Sequence, residues 1–134
     1  MYGVSIFDYN GFSSFSVDKK KAFFWLHIED KDKTAFTEIM SKLSRLEECH
    51  IHLSGKHVQF FDEILLDFIA ENDSVNFFTT TSHGDVESSF EEADGVLAST
   101  DFANQLFVVI LCSDISETFK QIDKLSRVAC SHVA

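Results

Sequence analysis

The chain has 134 residues, 45% hydrophobic and 25% charged, with 15 Phe, no Pro and a formal charge of −11 at pH 7. That length and balance suit a single globular domain over 1–134 that buries roughly two-thirds of its unfolded surface, and they argue against a two-domain layout. Its longest apolar runs, such as Leu106 to Cys112, fall far short of the ~20 residues that span a bilayer, and the N-terminus lacks the basic-then-apolar pattern of a signal peptide. Cys49, Cys112 and Cys130 are odd in number and widely separated, which argues against a disulfide framework and for a reducing, cytoplasmic setting.

Without proline, turns are read from Gly, Asn, Asp and Ser. Val4 to Tyr9 and Phe12 to Val17 flank Asn10-Gly11, a dipeptide that tolerates the positive φ angles of a tight turn, and so predict an N-terminal β-hairpin. After Lys19 to Lys21, the nearly continuous apolar run Ala22 to Ile28 predicts a strand buried on both faces. Asp32 or Thr34 then caps a helix with Phe36, Ile39, Met40, Leu43 and Leu46 on one side, at three- and four-residue spacing.

Cys49 to Leu53 predicts a short strand ending at Ser54-Gly55, and His57 to Glu71 a second helix with Phe60, Phe61, Ile64, Leu65, Phe68 and Ile69 turned inward. Val75 to Thr81 is rich in aromatic and β-branched residues and reads as a strand. It is followed by the loop 82–85 and a third helix marked by Val86, Phe90, Ala93 and Leu97. Leu106 to Cys112 is the strongest strand signal, and Asp114 with Glu117 resembles a capping box opening a last helix with Ile115, Phe119, Ile122 and Ala129 inside. This alternation predicts an α/β fold: a three-layer α/β/α sandwich of about four parallel strands, with the hairpin added.

Charge is uneven along the chain. The 63 residues between Lys56 and Lys120 contain no Lys or Arg but 13 acids, leaving nine acids and eleven bases elsewhere. Within that segment Glu63, Asp67 and Glu71 stand four residues apart on one helix, and Glu87, Glu91 and Asp94 repeat the arrangement on the next, with Asp85 and Glu92 beside them. Like charges at that spacing oppose a helix by a few tenths of a kcal/mol per pair. One such helix is ordinary solvated surface. Two in a base-free segment point to a docking surface for a basic partner that supplies the missing cations.

Other constellations are weaker. His83 after the third strand and Cys112 closing the fourth would make a thiolate dyad for a small hydrolase or transferase, but no oxyanion-holding glycine loop accompanies them, and Cys112 also reads as a buried hydrophobe. Cys49, His50 and His52 fall short of the four ligands of structural zinc, with the histidines on one side of their strand and Cys49 on the other; a solvent-facing strand edge accounts for them equally. Glu29, Asp30 and Asp32 resemble the magnesium-holding acids of receiver domains, yet Thr79-Thr80-Thr81 ends the third strand without an Asp and no Lys ends the fourth. Neither GxxxxGK[ST] nor GxGxxG occurs. No cofactor or metal is expected, and the field of this chain repels nucleic acid.

Thr80-Thr81-Ser82-His83-Gly84-Asp85 resembles an uncharacterised bacterial α/β family whose third strand ends in a Thr-Thr-x-His step followed by acids. The likeness runs in pattern from Phe23 to Ile110 and departs from the family after the second strand, where its Trp and Gly residues are missing. In size, acidity and single-domain character the chain is similar to immunity proteins of polymorphic and contact-dependent toxin systems. That resemblance implies an inhibitor and not a catalyst: an antitoxin that neutralises a basic toxin domain, foremost a nuclease. Glu63, Asp67, Glu71, Asp85, Glu87, Glu91, Glu92 and Asp94 would carry the docking, with His83 at the rim. The rival expectations are the Cys/His enzyme and a regulatory adaptor domain.

Overall fold

The computed structural model describes residues 3–16, 20–72, 75–100, 105–112 and 115–131, with backbone alone at 128–131. The elements run β1 (Gly3–Asp8), α1 (Tyr9–Ser14), β2 (Lys21–Ile28), α2 (Lys33–Leu43), β3 (Glu48–Ser54), α3 (Val58–Glu71), β4 (Phe77–Thr81), α4 (Val86–Ala98), β5 (Gln105–Leu111) and α5 (Ile115–Ser131). All five strands are parallel in one sheet of order β1-β5-β2-β3-β4. No described helix is long and apolar enough to cross a membrane.

The path of the chain sorts the helices. From β1 through β4 it advances across the sheet in one direction, and right-handed crossovers then put α1, α2 and α3 on one face. The return from β4 to β5 reverses direction and puts α4, with α5, on the other. Two cores result. Phe24, Leu26, Ile51, Val109 and their neighbours pack under the first three helices, while Phe23, Trp25, Leu106, Val108 and Ile110 pack under α4 and α5. Strand β2 feeds both, which is why its apolar run shows no alternation.

The N-terminus corrects one expectation. Val4 to Tyr9 does not fold back in a hairpin: β1 pairs in parallel with β5, Gly3 opposite Gln105, and Asn10-Gly11 lies inside α1. Positive φ, which the hairpin turn demands, is absent there. Instead the Asp8 side chain caps α1 by accepting from Gly11 N at 2.6 Å, and Phe12 enters the core at 1% exposure, edge-on to Phe24. Burying Phe12 and pairing β1 with the most apolar strand outweighs the local turn preference. The sheet therefore has five strands rather than four. In α5, Ile122 is buried but Phe119 is 40% exposed, because the helix turns that side toward the edge strand β1, beside Ile6. Asp114 lies outside the described residues.

Gly55 closes β3 with φ +114°, and a Cβ there would stand 2.0 Å from the Ile28 carbonyl oxygen. This close approach locks the ends of β2 and β3 together beneath the site described next. Left-handed strain costs on the order of 1–3 kcal/mol for a side-chain-bearing residue, and the contact with Ile28 adds to it. Gly55→Ala is expected to lower stability by about 3 kcal/mol in urea unfolding; a loss of only a few tenths would mean that the turn relaxes freely.

Candidate functional site

Ligands of open parallel sheets meet the carboxyl ends of the strands. Here the ends of β2, β3 and β4 open into a cleft of about 920 Å³ beneath α4 and α5, lined among others by His27, Glu29, Lys56, His83, Glu87 and Lys124. A second groove of about 810 Å³ runs between the exit of α1 and α2. Its Lys42 ammonium is already held by the Phe12 carbonyl at 2.5 Å and by the Phe12 ring, so the cleft at the strand ends holds the freer chemistry.

The floor of the cleft is a buried polar chain. Trp25 Nε1 lies 2.7 Å from Ser54 Oγ, and Ser54 Oγ 2.8 Å from His27 Nδ1. An indole only donates, so Ser54 accepts from Trp25; with the Glu29 carboxylate facing Nε2, the ring proton sits on Nε2 and the Ser54 hydroxyl proton goes to Nδ1. His27 is thereby held as the Nε2–H tautomer. Glu29 Oε1 stands 2.8 Å from Nε2. Glu29 is therefore the group that Nε2 faces, on a residue only 2% exposed. Burial pushes the His27 pKa below its ordinary value, with Glu29 pulling the other way. Ser, His and Glu in one chain have the composition of an acyl-transfer triad. Ser54 is no nucleophile, because it is fully buried and already engaged by Trp25.

A second chain runs beside it under α4. His50 Nε2 is 3.1 Å from Thr80 Oγ1, Thr80 Oγ1 is 2.6 Å from His52 Nδ1, and His52 Nε2 is 2.6 Å from Ser82 Oγ, which donates to the Glu92 carboxylate. With Ser82 donating to Glu92, Ser82 accepts from His52 Nε2–H; with the His52 ring neutral, its Nδ1 accepts from Thr80, which in turn accepts from His50. Both imidazoles are neutral. Burial, with a smaller repulsion from His50, pushes the His52 pKa down to about 4 against the pull of Glu92, and burial lowers His50 as well. These histidines therefore do not sit on a solvent-facing edge, since β3 lies between β2 and β4 and leaves His50 7% and His52 1% exposed. Cys49 points into the opposite core, where burial pushes its thiol pKa up. Among the described residues no His/Cys/Asp/Glu group is arranged to hold a metal ion.

The two acidic ladders separate. Glu63, Asp67 and Glu71 are exposed on α3 in one layer; Glu87 and Glu91 are exposed, and Asp94 partly buried, on α4 in the other. Asp85 is the α4 N-cap, accepting from Ser88 N at 2.8 Å, which lowers its pKa. Glu92 ends the His52 chain, and His83 is exposed at the cleft. Cys112 lines a different cavity with Asp30 and Asp32. Strands β2 and β3 lie between its strand β5 and β4, placing the backbones of Cys112 and His83 roughly 14 Å apart at three inter-strand spacings. No Cys112–His83 dyad forms. The acids after β2 are likewise spoken for: Asp32 caps α2 through Ala35 N at 3.0 Å.

Sequence reading passed over His27, Trp25 and Lys124. The available signal was a histidine closing an otherwise apolar strand, but its partner Ser54 lies 27 residues away and is found only through the β2–β3 register, His27 opposite Ser54. No family model, curated protein or solved structure matches this chain.

Proposed function

We propose that the chain is an immunity-type inhibitor that docks a basic toxin domain, foremost a nuclease, through one acidic helix face. The observation that carries this reading is the outer side of α3. Glu63, Asp67 and Glu71 are exposed there and, among the described residues, belong to no ion pair, while Leu66 between them is 50% exposed. Free carboxylates around a single apolar anchor suit a hot spot ringed by steering charge. The acids of α4 are a poorer primary face, because Asp85 caps its own helix and Glu92 closes a buried chain. With the ladders in opposite layers, one compact partner engages one of them. The other contributes only long-range field.

The test is capture of the partner, with identification by mass spectrometry, followed by association kinetics at low salt. Reversing Glu63, Asp67 and Glu71 to Lys is expected to slow association at least about tenfold and to flatten its salt dependence. Reversing Glu87, Glu91 and Asp94 should slow it less. Equal effects from the two triples would move the face, and unchanged kinetics in both, or a captured partner without a basic surface, would remove the reading.

A further inference from the structure

We infer that the outer edge of β4 takes up an extended, basic segment of a protein partner as an added strand of the sheet. The inference rests on the basic-partner reading above and adds how such a partner is held.

β4 closes the sheet on one side and, among the described strands, pairs with β3 alone. The register fixes which backbone groups that pairing uses. Cys49 N donates to Asn76 O and Ser82 N donates to Leu53 O. Because the backbone groups of a strand alternate in direction, residues 76, 78, 80 and 82 turn their N–H and C=O toward β3. Phe77, Thr79 and Thr81 turn theirs outward, where no partner among the described residues meets them. Sheet edges are ordinarily guarded by a charge, a proline or a bulge. The opposite edge strand, β1, ends at Asp8 and has Lys120 of α5 beside it. From Val75 to Ser82, β4 carries no charge, no proline and no break in register, and its Phe and Thr residues favour extended backbone.

Side chains of both layers shape the seat. Phe77 stacks on Phe68 of α3, while Phe78 and Thr80 face the α4 layer, where Thr80 joins the histidine chain. α4 leaves Phe78 48% exposed. An added strand rests an apolar residue against Phe78 and turns its alternate residues toward α3. Charge selects those alternate residues: α3 carries Asp62, Glu63, Asp67 and Glu71 and no Lys or Arg, so lysine or arginine fits there. A second copy of this chain fits worse, because β4 against β4 would set two such acidic helices side by side.

The experiment is ¹H–¹⁵N NMR titration of the full chain, at low ionic strength, with a capped heptapeptide alternating Lys and Val and with its Glu/Val counterpart. The Lys/Val peptide is expected to give saturable shifts and slowed exchange at the Phe77, Thr79 and Thr81 amides. The Glu/Val peptide should bind at least about tenfold more weakly. Thr79→Pro removes an outward N–H and no bond to β3, so it should keep the wild-type urea midpoint and lose at least about tenfold in Lys/Val binding. Phe78→Ser, at an exposed position, should lose about fivefold through the apolar seat alone. Shifts confined to α3, no saturable shift at all, or wild-type binding by a folded Thr79→Pro would overturn strand addition and leave the acidic-face reading standing. Lys/Val and Glu/Val peptides binding equally at β4 would remove the basic occupant and count against both. A dimer in sedimentation that Thr79→Pro dissolves would assign the edge to a second copy and overturn the proposal as well.

Discussion

Acidification from pH 6.5 to pH 4 is expected to remove about 3 kcal/mol of stability through His52 alone. Its pKa is about 4 in the folded chain against an ordinary 6.5, and each unit of difference is worth about 1.4 kcal/mol. Between those values the unfolded chain takes up a proton that the folded chain refuses, so stability rises with pH across the window, is complete above 6.5 and is lost as pH falls toward 4. His27 and His50 shift in the same direction and steepen the loss.

Burial is the main reason the folded state refuses the proton, and the hydrogen-bond chain would have to rearrange to take it. A protonated His52 would donate from both nitrogens, so Thr80 could no longer donate to it and His50 would have to change tautomer to accept the Thr80 proton. Glu92 lies too near the surface to offset the burial. Urea unfolding at half-unit pH intervals checks this, with His52→Gln as the comparison, because glutamine does not titrate. A wild-type curve flat between pH 6.5 and 4, or an undiminished slope in His52→Gln, would refute it.

Ser54→Ala is expected to cost about 2–5 kcal/mol although it removes a single oxygen. That oxygen is the partner of both Trp25 Nε1 and His27 Nδ1, and each buried polar group left unsatisfied loses about 1–3 kcal/mol. Water does not easily replace it, since Trp25 and Ser54 are both fully buried between β2, β3 and α4, with the indole edge-on to Phe90. A double-mutant cycle separates this from simple loss of packing. In the Trp25→Phe background one of the two orphans is gone, so Ser54→Ala should cost less there than in the wild type. Strict additivity would show that the hydroxyl carries no coupling. Freed of Ser54, His27 Nδ1 loses its donor, so the imidazole nitrogen shifts report the same substitution without reference to stability.

These two expectations rest on residues that sequence reading named only in part. Ser54, Thr80 and Ser82 stood out as strand-end positions, and His50 and His52 as two imidazoles on one side of a strand. Their neighbours in sequence show nothing of the chains they enter. His52 meets Thr80 28 residues on, and His27 meets Ser54 at a separation of 27. Such contacts exist only once β2, β3 and β4 lie side by side in register. The N-terminal hairpin failed for the same reason: Asn10-Gly11 is a strong local turn signal, but β1 found its partner in β5, about a hundred residues away.

What the amino-acid order determined alone was local. Apolar runs and periodicity set β2 to β5 and α2 to α4 to within a few residues, Asp32 capped its helix as expected, and the base-free stretch from 57 to 119 placed two acidic ladders on two helices. What only the tertiary structure decided was which of these elements face one another. The reversal of the chain between β4 and β5 sent α3 and α4 to opposite layers, dividing an acidic segment that is continuous in sequence. The same parallel register gathered polar residues from separate strands into one buried seam. Periodicity acts over three or four residues, whereas crossover direction and strand register are set by burial across the whole sheet.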